Sequence, residues 1–365
     1  MTRARAPYME WAKHRPVPEI DLAGSNLLAC TLEDLPGARE AIELGGEGPE
    51  GYPALVEAIA ERYGVDSERV ATAGGCSGAN FLTCAGLLDA GDEVLIESPY
   101  YDPLAAAARM MGADVVTFPR RFEQGYRIES EEVATALTSR TRLIIVSNPH
   151  NPSGVLLSEE EREGLRRLAE LAGVPVLFDE VYLETVSGPP VPPAAIQSPL
   201  FISTNSLTKS YGLSSLRCGW ALASAEIAEK IRRARDIVDV SGPTPADRLA
   251  VVAFRHIDQL AARSRGIVEA NTRLFRNFLS EEKRLECVPS QATIGFPRFT
   301  DGQSSARFAQ RLFEKYRVAV VPGDFFSFPA HIRISYGGAT EKVERGLADI
   351  HRCLQVRSSR PVSSS

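Results

Sequence analysis

From about residue 54 the chain alternates two kinds of segment, amphipathic stretches and short apolar runs rich in β-branched residues. The amphipathic stretches include ALVEAIAERYG, GANFLTCAGLLDAG, PLAAAARMMGA and SEEEREGLRRLAELAG, and the apolar runs include DEVLIESP, DVVTFP, LIIVSNP, VPVLFDEVY, FISTNS and CGWALAS. A helical period predicts helices, and apolar runs bounded by Pro, Gly or Asn predict buried strands. Strands that alternate with helices predict an α/β fold with a mostly parallel sheet, flanked by helices on both faces.

The pattern changes after about residue 240. A long helical stretch, ADRLAVVAFRHIDQLAARSRGIVEANTRLFRNFLS, leads to the shorter strand candidates TIGFPRF, VAVVPG and HIRISYG. We therefore predict a large domain over residues 41–265 and a smaller α+β domain over 266–365. Residues 1–40 are expected to pack as part of the small domain. The polar tail 357–365 is expected to be disordered.

Composition narrows the function classes. The 365 residues carry a net charge of −6 and no block of basic residues, which disfavours nucleic-acid and membrane partners. No apolar run approaches the roughly 20 residues of a spanning helix, and no apolar stretch follows the basic N-terminus as in a signal peptide. The six cysteines lack CxxC spacing and the five histidines do not cluster. These features predict a cytoplasmic protein with reduced thiols and no metal site.

Residues with catalytic potential follow the predicted strands, where α/β folds place their ligand sites. Asp179 ends the strand VPVLFD, and a buried carboxylate at that point requires a partner. The run Asn148–Gly154, with two Asn-Pro dipeptides, follows LIIVS. Lys209 follows FISTN, and a lysine buried near other cations has a lowered pKa and can condense with an aldehyde. Taken alone, each also has an ordinary explanation as an ion pair, a turn or a surface lysine.

Two further features suit anions. Ser206, Lys209 and Arg217 crowd around one turn and could hold a phosphate dianion. The small residues of 72–78 precede a predicted helix and leave backbone N–H groups open to an anion. Arg333 lies between apolar residues in HIRISYG, so its charge requires a partner, either an internal carboxylate or a substrate carboxylate.

Taken together, the segments AGGCSGAN, ESPYYDP, SNPHNPSG, FDEVY, SLTKSYGLSSLR and IRISYG resemble, in this order, the class I/II aminotransferases of pyridoxal-phosphate (PLP) fold type I. AGGCSGAN and ESPYYDP are also similar to the aminocyclopropane-carboxylate synthase branch, whose members are mostly lyases. The resemblance implies pyridoxal 5′-phosphate as cofactor, a homodimer, and ping-pong transfer of an amino group between an amino acid and a 2-oxo acid. A PLP-dependent lyase that performs α,β- or γ-elimination is the alternative on this scaffold. A non-catalytic PLP-fold protein is disfavoured because Lys209 is intact.

The resemblance also implies a role for each matching residue. Lys209 would bind the cofactor as a Schiff base and move the proton between Cα and C4′. Asp179 would pair with the pyridine nitrogen. Asn151 and Tyr182 would hydrogen-bond the phenolic oxygen of the ring, and Tyr101 would stack on the ring face. The residues that would hold the phosphate are Gly75, Cys76, Ser77, Ser206 and Arg217. The residues that would bind the substrate are Arg333, Asn151 and Gly24.

Three departures from the family pattern leave substrate fit and subunit contacts open. The arginine usual after the leucine of the family's G-x-P-x-LR motif is Val56 here, and DLAGSN offers Gly24 and Ser25 in different registers for the N-terminal glycine that closes on substrate. The family has a tyrosine ahead of its G-x-P-x-LR motif, where GGEGPEGYPALVEA offers Glu47, Gly48 or Pro49, and Tyr52 lies beyond Gly51. That role is therefore not carried over. A dicarboxylate substrate would require a second arginine near the site. Arg235 and Arg248 are candidates by position only, and a solvated surface location is expected for each.

Overall fold

The structure is a computed structural model that describes residues 5–45, 48 and 51–355. Its strands are β1 (Ile20–Asp21), β2 (Val70–Gly74), β3 (Glu93–Ser98), β4 (Asp114–Pro119), β5 (Thr141–Ser147), β6 (Val176–Asp179), β7 (Phe201–Ser206), β8 (Cys218–Leu222), β9 (Leu285–Glu286), β10 (Ile294–Gly295), β11 (Arg298–Phe299), β12 (Val318–Ala319), β13 (Val321–Pro322) and β14 (Ile332–Ser335). Its α-helices are α1 (Pro7–His14), α2 (Pro53–Tyr63), α3 (Gly75–Leu87), α4 (Asp102–Met110), α5 (Ser130–Ala136), α6 (Glu159–Ala172), α7 (Leu207–Tyr211), α8 (Ala225–Val238), α9 (Thr244–Arg255), α10 (Ile257–Glu281), α11 (Ser305–Tyr316) and α12 (Thr340–Gln355).

The central sheet has seven strands in the order β2-β8-β7-β6-β5-β3-β4. Every neighbouring pair is parallel except the two made by β8, which runs antiparallel to β2 and to β7. The predicted α/β architecture with a mostly parallel sheet is confirmed. The sequence pattern did not predict strand β2, because VATAG is short and rich in alanine.

Both faces of the sheet are buried. Along β5, Ile145 packs with α3, α4 and α8, whereas Ile144 and Val146 pack on the opposite face with Leu165 of α6. Neighbouring residues of a strand point to opposite faces, so an uninterrupted apolar run such as LIIV requires cover on both sides. This burial explains why the strands read as continuous apolar runs.

Local signals set the helix ends. Ser158 caps α6 by accepting the backbone N–H of Glu161, whose side chain bonds the Ser158 backbone in return. The helix ends at Gly173 in the left-handed conformation (φ 67°). Gly64 ends α2 in the same way with φ 63°, as its position after the amphipathic run predicts.

The C-terminal elements form a second core around the strand order β10-β14-β13 and helices α10, α11 and α12. The N-terminal segment joins this core because β1 pairs in parallel with β12. The prediction of a single long helix over residues 246–280 is wrong. The helical conformation is interrupted at His256 (φ −109°, ψ 18°), between α9 and α10. The segments TIGFPRF and VAVVPG each form two strands of two residues. The tail 357–365 lies outside the described residues.

The sheet brings several polar residues to one edge. Ser147 of β5 pairs with Asp179 of β6, which pairs in turn with Thr204 of β7. Ser206, at the end of β7, pairs with Gly219 of the antiparallel β8. The carboxyl ends of the parallel strands therefore meet where β8 begins and α3 starts. Over the part of the chain that the structure describes, no helix combines the length and apolar character needed to cross a membrane.

Candidate active site

A cavity of about 530 Å³ opens at this edge. Its walls come from α1, from the segment after β1 and from the carboxyl ends of the strands. The sequence-predicted residues that line it are Gly24, Cys76, Ser77, Tyr101, Asn151, Asp179, Tyr182, Ser206, Lys209 and Arg217. Gly75 and Arg333 are not in the lining, but each lies against a residue that is.

Lys209 lies in α7, three residues after Ser206, which caps this helix by accepting the N–H of Thr208. The Lys209 ammonium donates to Ser25 Oγ at 3.0 Å and to Asn26 Oδ1 at 2.7 Å. Burial, with a smaller effect from the cation of Arg333, lowers the pKa of Lys209 to about 8. A substantial fraction of this amine is therefore neutral and nucleophilic near neutral pH.

Asp179 ends β6 as a buried carboxylate. It accepts a 2.8 Å hydrogen bond from Asn80 Nδ2 and a 3.2 Å bond from the Val181 N–H, and the Cys76 thiol lies 3.4 Å away. Asn80 is itself fixed, because its Oδ1 accepts from Thr204 Oγ1 at 2.6 Å. Burial raises the pKa of Asp179, and these donors oppose that shift. The carboxylate is thus oriented at the cavity wall and suited to a cationic partner.

Arg217 and Gly75 form a close-fitting corner. Arg217 has a left-handed backbone (φ 51°) and donates through Nη2 to Gly74 O at 3.0 Å. A Cβ on Gly75 would lie 2.3 Å from Arg217 Nη2, and Gly75 itself has φ +81°. Only glycine leaves room for the guanidinium beside the start of α3. Ser77, Ser206 and Thr208 line the cavity with it, as a phosphate site requires.

Arg333 of β14 is fully buried. Its Nη1 donates to Asn151 Oδ1 at 2.9 Å, and its Nη2 donates to Tyr8 Oη at 2.7 Å and to Ala23 O at 2.9 Å. Its Nε is buried without a hydrogen-bond partner. Among the described residues, no carboxylate forms a salt bridge with Arg333, so the internal ion pair considered from the sequence is absent there. A buried, charged donor of this kind suits a substrate carboxylate.

Aromatic residues form one wall of the cavity. Tyr8 of α1 meets Tyr101 edge to face with ring centroids 5.7 Å apart, and Tyr101 Oη lies 3.2 Å from Met9 Sδ. Trp11, one turn further along α1, packs against Phe325 at 5.1 Å. Burial raises the pKa of Tyr182, which also lines the cavity, to about 12. Tyr182 therefore keeps its phenolic proton at physiological pH.

Sequence reasoning missed several residues of the site: Tyr8, Met9, Asn26, Asn80, Ser147 and Thr208. It offered Ser25 only as an alternative to Gly24. The aromatic residues of PYMEW were a usable signal, because an exposed N-terminal helix seldom carries both Tyr and Trp. Ser25 and Asn26 lie 184 and 183 residues from Lys209 along the chain. No local pattern reports a contact over such a separation.

The two candidates for a second arginine do not line the cavity. Arg235 is only 2% exposed and donates to Thr72 Oγ1 at 2.6 Å, so its expected solvated location is wrong. Arg248 pairs with Glu43 at 3.1 Å and lies over the ring of Tyr52. Of the positions near the family's intersubunit tyrosine, Glu47 and Pro49 lie outside the described residues. Gly48 accepts the Gly51 N–H through its backbone oxygen.

The cavity offers a complementary group for each part of PLP. A lysine with a lowered pKa suits the aldehyde, a buried carboxylate suits a protonated pyridine nitrogen, and the corner of Arg217, Gly75 and the start of α3 suits a phosphate. The Arg217 guanidinium lies beside the Gly75 backbone at the start of α3, so a charged donor and the N–H groups of a helix start are available together at this corner. The residues present therefore fit the cofactor.

Comparisons with known proteins agree with this fit. The family model described as aminotransferase class I and II matches residues 43–350. Capreomycidine synthase of Streptomyces vinaceus is 30% identical over 359 residues, covering 94% of this chain and 92% of that protein. The arginine–pyruvate transaminase of Pseudomonas aeruginosa is 30% identical over 319 residues, 83% of this chain and 80% of that protein.

The fold agrees as well. A PLP-dependent aminotransferase from Streptococcus suis superposes with a TM-score of 0.92 at 25% identity, covering 99% of this chain and 100% of that one. The extent of the family match and the fold leave one assignment. This chain belongs to the class I and II aminotransferases, PLP-dependent enzymes of fold type I that move an amino group between an amino acid and a 2-oxo acid.

Proposed function

We propose that Lys209, Asp179 and Tyr182 carry the chemistry of this aminotransferase, and that Arg333 selects substrates by their α-carboxylate. The observation that carries the proposal is the placement of Lys209 and Asp179 in the walls of one cavity. In that cavity the pKa of the lysine is lowered to about 8 by burial, with a contribution from Arg333. The lowered pKa makes a neutral, nucleophilic amine accessible near neutral pH, and the Asp179 carboxylate lies in the same cavity to pair with the pyridine nitrogen.

When bound, PLP supplies an electron sink that stabilises negative charge developing at the substrate Cα. Lys209 provides the base, since its neutral amine can take the Cα proton and release it at C4′. Ser25 and Asn26 hold Nζ in the cavity by two hydrogen bonds. Asp179 stabilises a positive charge at the pyridine nitrogen, and Asn80 keeps its carboxylate in position.

Asn151 and Tyr182 are assigned to the ring's phenolic oxygen. Asn151 gives its Oδ1 to Arg333, which leaves the Nδ2 hydrogens for that oxygen. Tyr182, with a pKa raised to about 12 by burial, acts as a donor and not as an anion. Tyr101 is assigned to the ring face, and α1 excludes water above it.

The remaining anion contacts divide between cofactor and substrate. The phosphate is assigned to Arg217, to the Ser206 hydroxyl and to the start of α3, formed by Gly75, Cys76 and Ser77. The Cys76 thiol itself lies beside Asp179, so its contribution to the phosphate comes from its backbone. Arg333 binds the substrate α-carboxylate, and Gly24 lies close enough to the cavity to contact the same substrate.

Three coarser expectations accompany these roles. We propose a division into residues 1–40 with 266–365 as the small domain and 41–265 as the large one. A homodimer is supported by an exposed apolar segment at the end of α8, where Ile237, Val238 and Val240 are 87%, 55% and 74% exposed. A cytoplasmic location is supported by six cysteines that are all free thiols.

The function is tested by isotope transfer. Purified protein with PLP is incubated with 15N-labelled amino acids and unlabelled 2-oxo acids, and label in the new amino acid is measured by mass spectrometry. We expect transfer that requires the oxo acid and falls at least about 10³-fold in Lys209→Ala. Lys230→Ala is the matched control, because Lys230 pairs with Glu226 on the surface of α8.

The second candidate is a PLP-dependent lyase that performs α,β- or γ-elimination, because one relative that matches most of the chain is named as a synthase and not as an aminotransferase. Its signature is release of a β- or γ-substituent without any 2-oxo acid. Substituent release that proceeds without an oxo acid, with no label transfer to any oxo acid, would contradict the transaminase assignment and support this alternative.

A further inference from the structure

An ion pair lies behind the cavity wall. Arg120, just after β4, donates through Nη1 to Glu97 Oε2 of β3 at 2.7 Å, and both side chains are fully buried. Arg120 also donates through Nε to Tyr126 O at 2.5 Å. Neither member of the pair lines the cavity. The roles assigned above leave the pair without a purpose.

Stability alone is a poor explanation for the pair. Removing two charges from water costs about as much as their attraction returns, and well-packed apolar residues often serve as well or better. A buried ion pair can instead serve to orient the polar groups that bond to it. In this pair, the second carboxylate oxygen of Glu97 bonds a residue of the cavity wall.

Glu97 Oε1 binds Ser147, the last residue of β5, twice. It accepts the backbone N–H at 2.6 Å and the hydroxyl at 2.5 Å. Because the hydroxyl proton is committed to Glu97, the lone pairs of Ser147 Oγ are left to accept the N–H of Asn151 at 2.9 Å. Ser147 and Asn151 both line the cavity, and Asn151 reaches Arg333 on β14.

The neighbouring histidine does not replace Glu97 in this arrangement. His150 Nε2 lies 4.0 Å from Glu97 Oε1 and is within 2.8 Å of Pro99 O, while its Nδ1 is 2.6 Å from Ser153 Oγ. Burial holds the pKa of His150 well below its usual range. His150 is therefore neutral, and Arg120 is the cation that balances Glu97.

We propose that the Glu97–Arg120 pair positions Asn151 for the cofactor and substrate, with Ser147 as the connecting residue. The inference rests on the proposed function and adds positioning residues to that site. Glu97 accepts both groups of Ser147 through one oxygen and the Arg120 guanidinium through the other, and Arg120 and Ser147 oppose the rise that burial causes in the pKa of Glu97. The loop that carries Asn151 is then fixed against β5 before any substrate enters.

The test compares Glu97→Gln with a matched control on the same strand. Glu93 begins β3, is 2% exposed, and accepts the hydroxyls of Thr138 and Thr141 at 3.0 and 2.7 Å. It therefore reproduces the burial and hydrogen bonding of Glu97 at the end of the strand away from the cavity. For holoenzyme of each variant we measure the thermal midpoint, KM and kcat for an active amino acid, and the pH midpoint of the cofactor's visible band.

In Glu97→Gln the new amide NH2 group faces either Arg120 or Ser147, both of which are donors, so one of the contacts that fix Ser147 and the Asn151 loop is lost. A displaced Asn151 donates less well to the phenolic oxygen, which then carries more negative charge and holds the neighbouring imine proton more tightly. Glu97→Gln is therefore expected to move the pH midpoint of the visible band upward by about one unit. Its KM should rise about tenfold, because the displacement of Asn151 also weakens its hydrogen bond with Arg333. Glu93→Gln is expected to lower the thermal midpoint without moving either quantity.

Ser147→Ala provides a second, milder variant in case Glu97→Gln does not fold. It should shift the pH midpoint in the same direction, and the double variant should shift it no further than the larger single effect. Equal thermal losses in the Glu97 and Glu93 variants, with both pH midpoints unchanged, would overturn the inference. A wild-type protein that shows no cofactor band would instead overturn the proposed function.

Discussion

Arg333 Nη1 donates a 2.9 Å hydrogen bond to Asn151 Oδ1, and this bond joins β14 to the loop that follows β5. The amide oxygen of Asn151 is thus engaged by Arg333, and we propose that its nitrogen serves the cofactor. The same arginine contacts Tyr8 of α1 at 2.7 Å. Any substrate carboxylate that engages Arg333 therefore does so next to the N-terminal helix, the loop after β5 and the C-terminal strand at once.

The first prediction concerns this arginine. Arg333→Gln should lower kcat/KM for amino acids by about 10²-fold or more, because a charge-assisted partner of the α-carboxylate is lost. The dissociation constant for PLP should change little. Steady-state kinetics and a PLP titration measure both quantities. Arg298→Gln is the control, because Arg298 is engaged by Glu123 and Glu286 outside the cavity. Equal losses in the two variants would contradict the assigned role.

The second prediction concerns the phosphate corner. In Gly75→Ala the new methyl group would meet Arg217 Nη2 at 2.3 Å, so we expect the dissociation constant for PLP to rise about 10²-fold. Gly91→Ala imposes a similar backbone strain at φ +93° but meets no atom within 4 Å. It should lower the thermal midpoint and leave PLP affinity unchanged. Fluorescence titration distinguishes them. An unchanged affinity in Gly75→Ala would place the phosphate elsewhere.

The third prediction tests the support of Asp179. Asn80→Ala removes the 2.8 Å donor that opposes the effect of burial, so the pKa of Asp179 rises further. Fewer molecules then carry the carboxylate, and kcat should fall about tenfold, with the larger loss at low pH. Asn271→Ala is the control, since Asn271 is buried and bonds only backbone oxygens of the small core. A pH profile of kcat that matches the wild type in Asn80→Ala would refute this role.

The fourth prediction is a pH dependence. The pKa of Lys209 is lowered to about 8, mainly by burial, so the neutral fraction of its amine increases about tenfold per pH unit below that value. Covalent capture of PLP by cofactor-free protein should therefore accelerate from pH 6 to 8 and level off above. Arg333→Gln removes a nearby cation that favours the neutral amine, so its curve should shift to higher pH. Stopped-flow absorbance measures the rates. A rate independent of pH over this range would count against Lys209 as the nucleophile.

Local patterns in the sequence were sufficient for the architecture. Apolar runs such as LIIV require burial on both faces. Gly64 and Gly173 end helices because glycine adopts the left-handed conformation at a helix end without steric cost. The break at His256 was not predictable, since the amphipathic period continues through it and only tertiary packing separates α9 from α10.

For the site, the sequence indicated the residues at strand ends and missed the ones that support them. Asp179 and Lys209 follow apolar strands, where polar residues are conspicuous. Asn80 and Ser147 look like ordinary helix and strand residues, and their contacts with Asp179 and Glu97 span 99 and 50 positions. Tyr8 reaches Arg333 across 325 positions. Such pairings depend on the fold, which brings distant segments to one edge of the sheet.

The most direct test of the account is to identify the residue that binds the cofactor. Wild-type protein is loaded with PLP, reduced with borohydride, digested and mapped by mass spectrometry, alongside Lys209→Ala and Lys230→Ala. We predict that the reduced cofactor is found on the peptide containing Lys209 in the wild type and in Lys230→Ala, and is lost in Lys209→Ala. Cofactor attached to a different lysine, or no attachment in the wild type, would contradict the central claim.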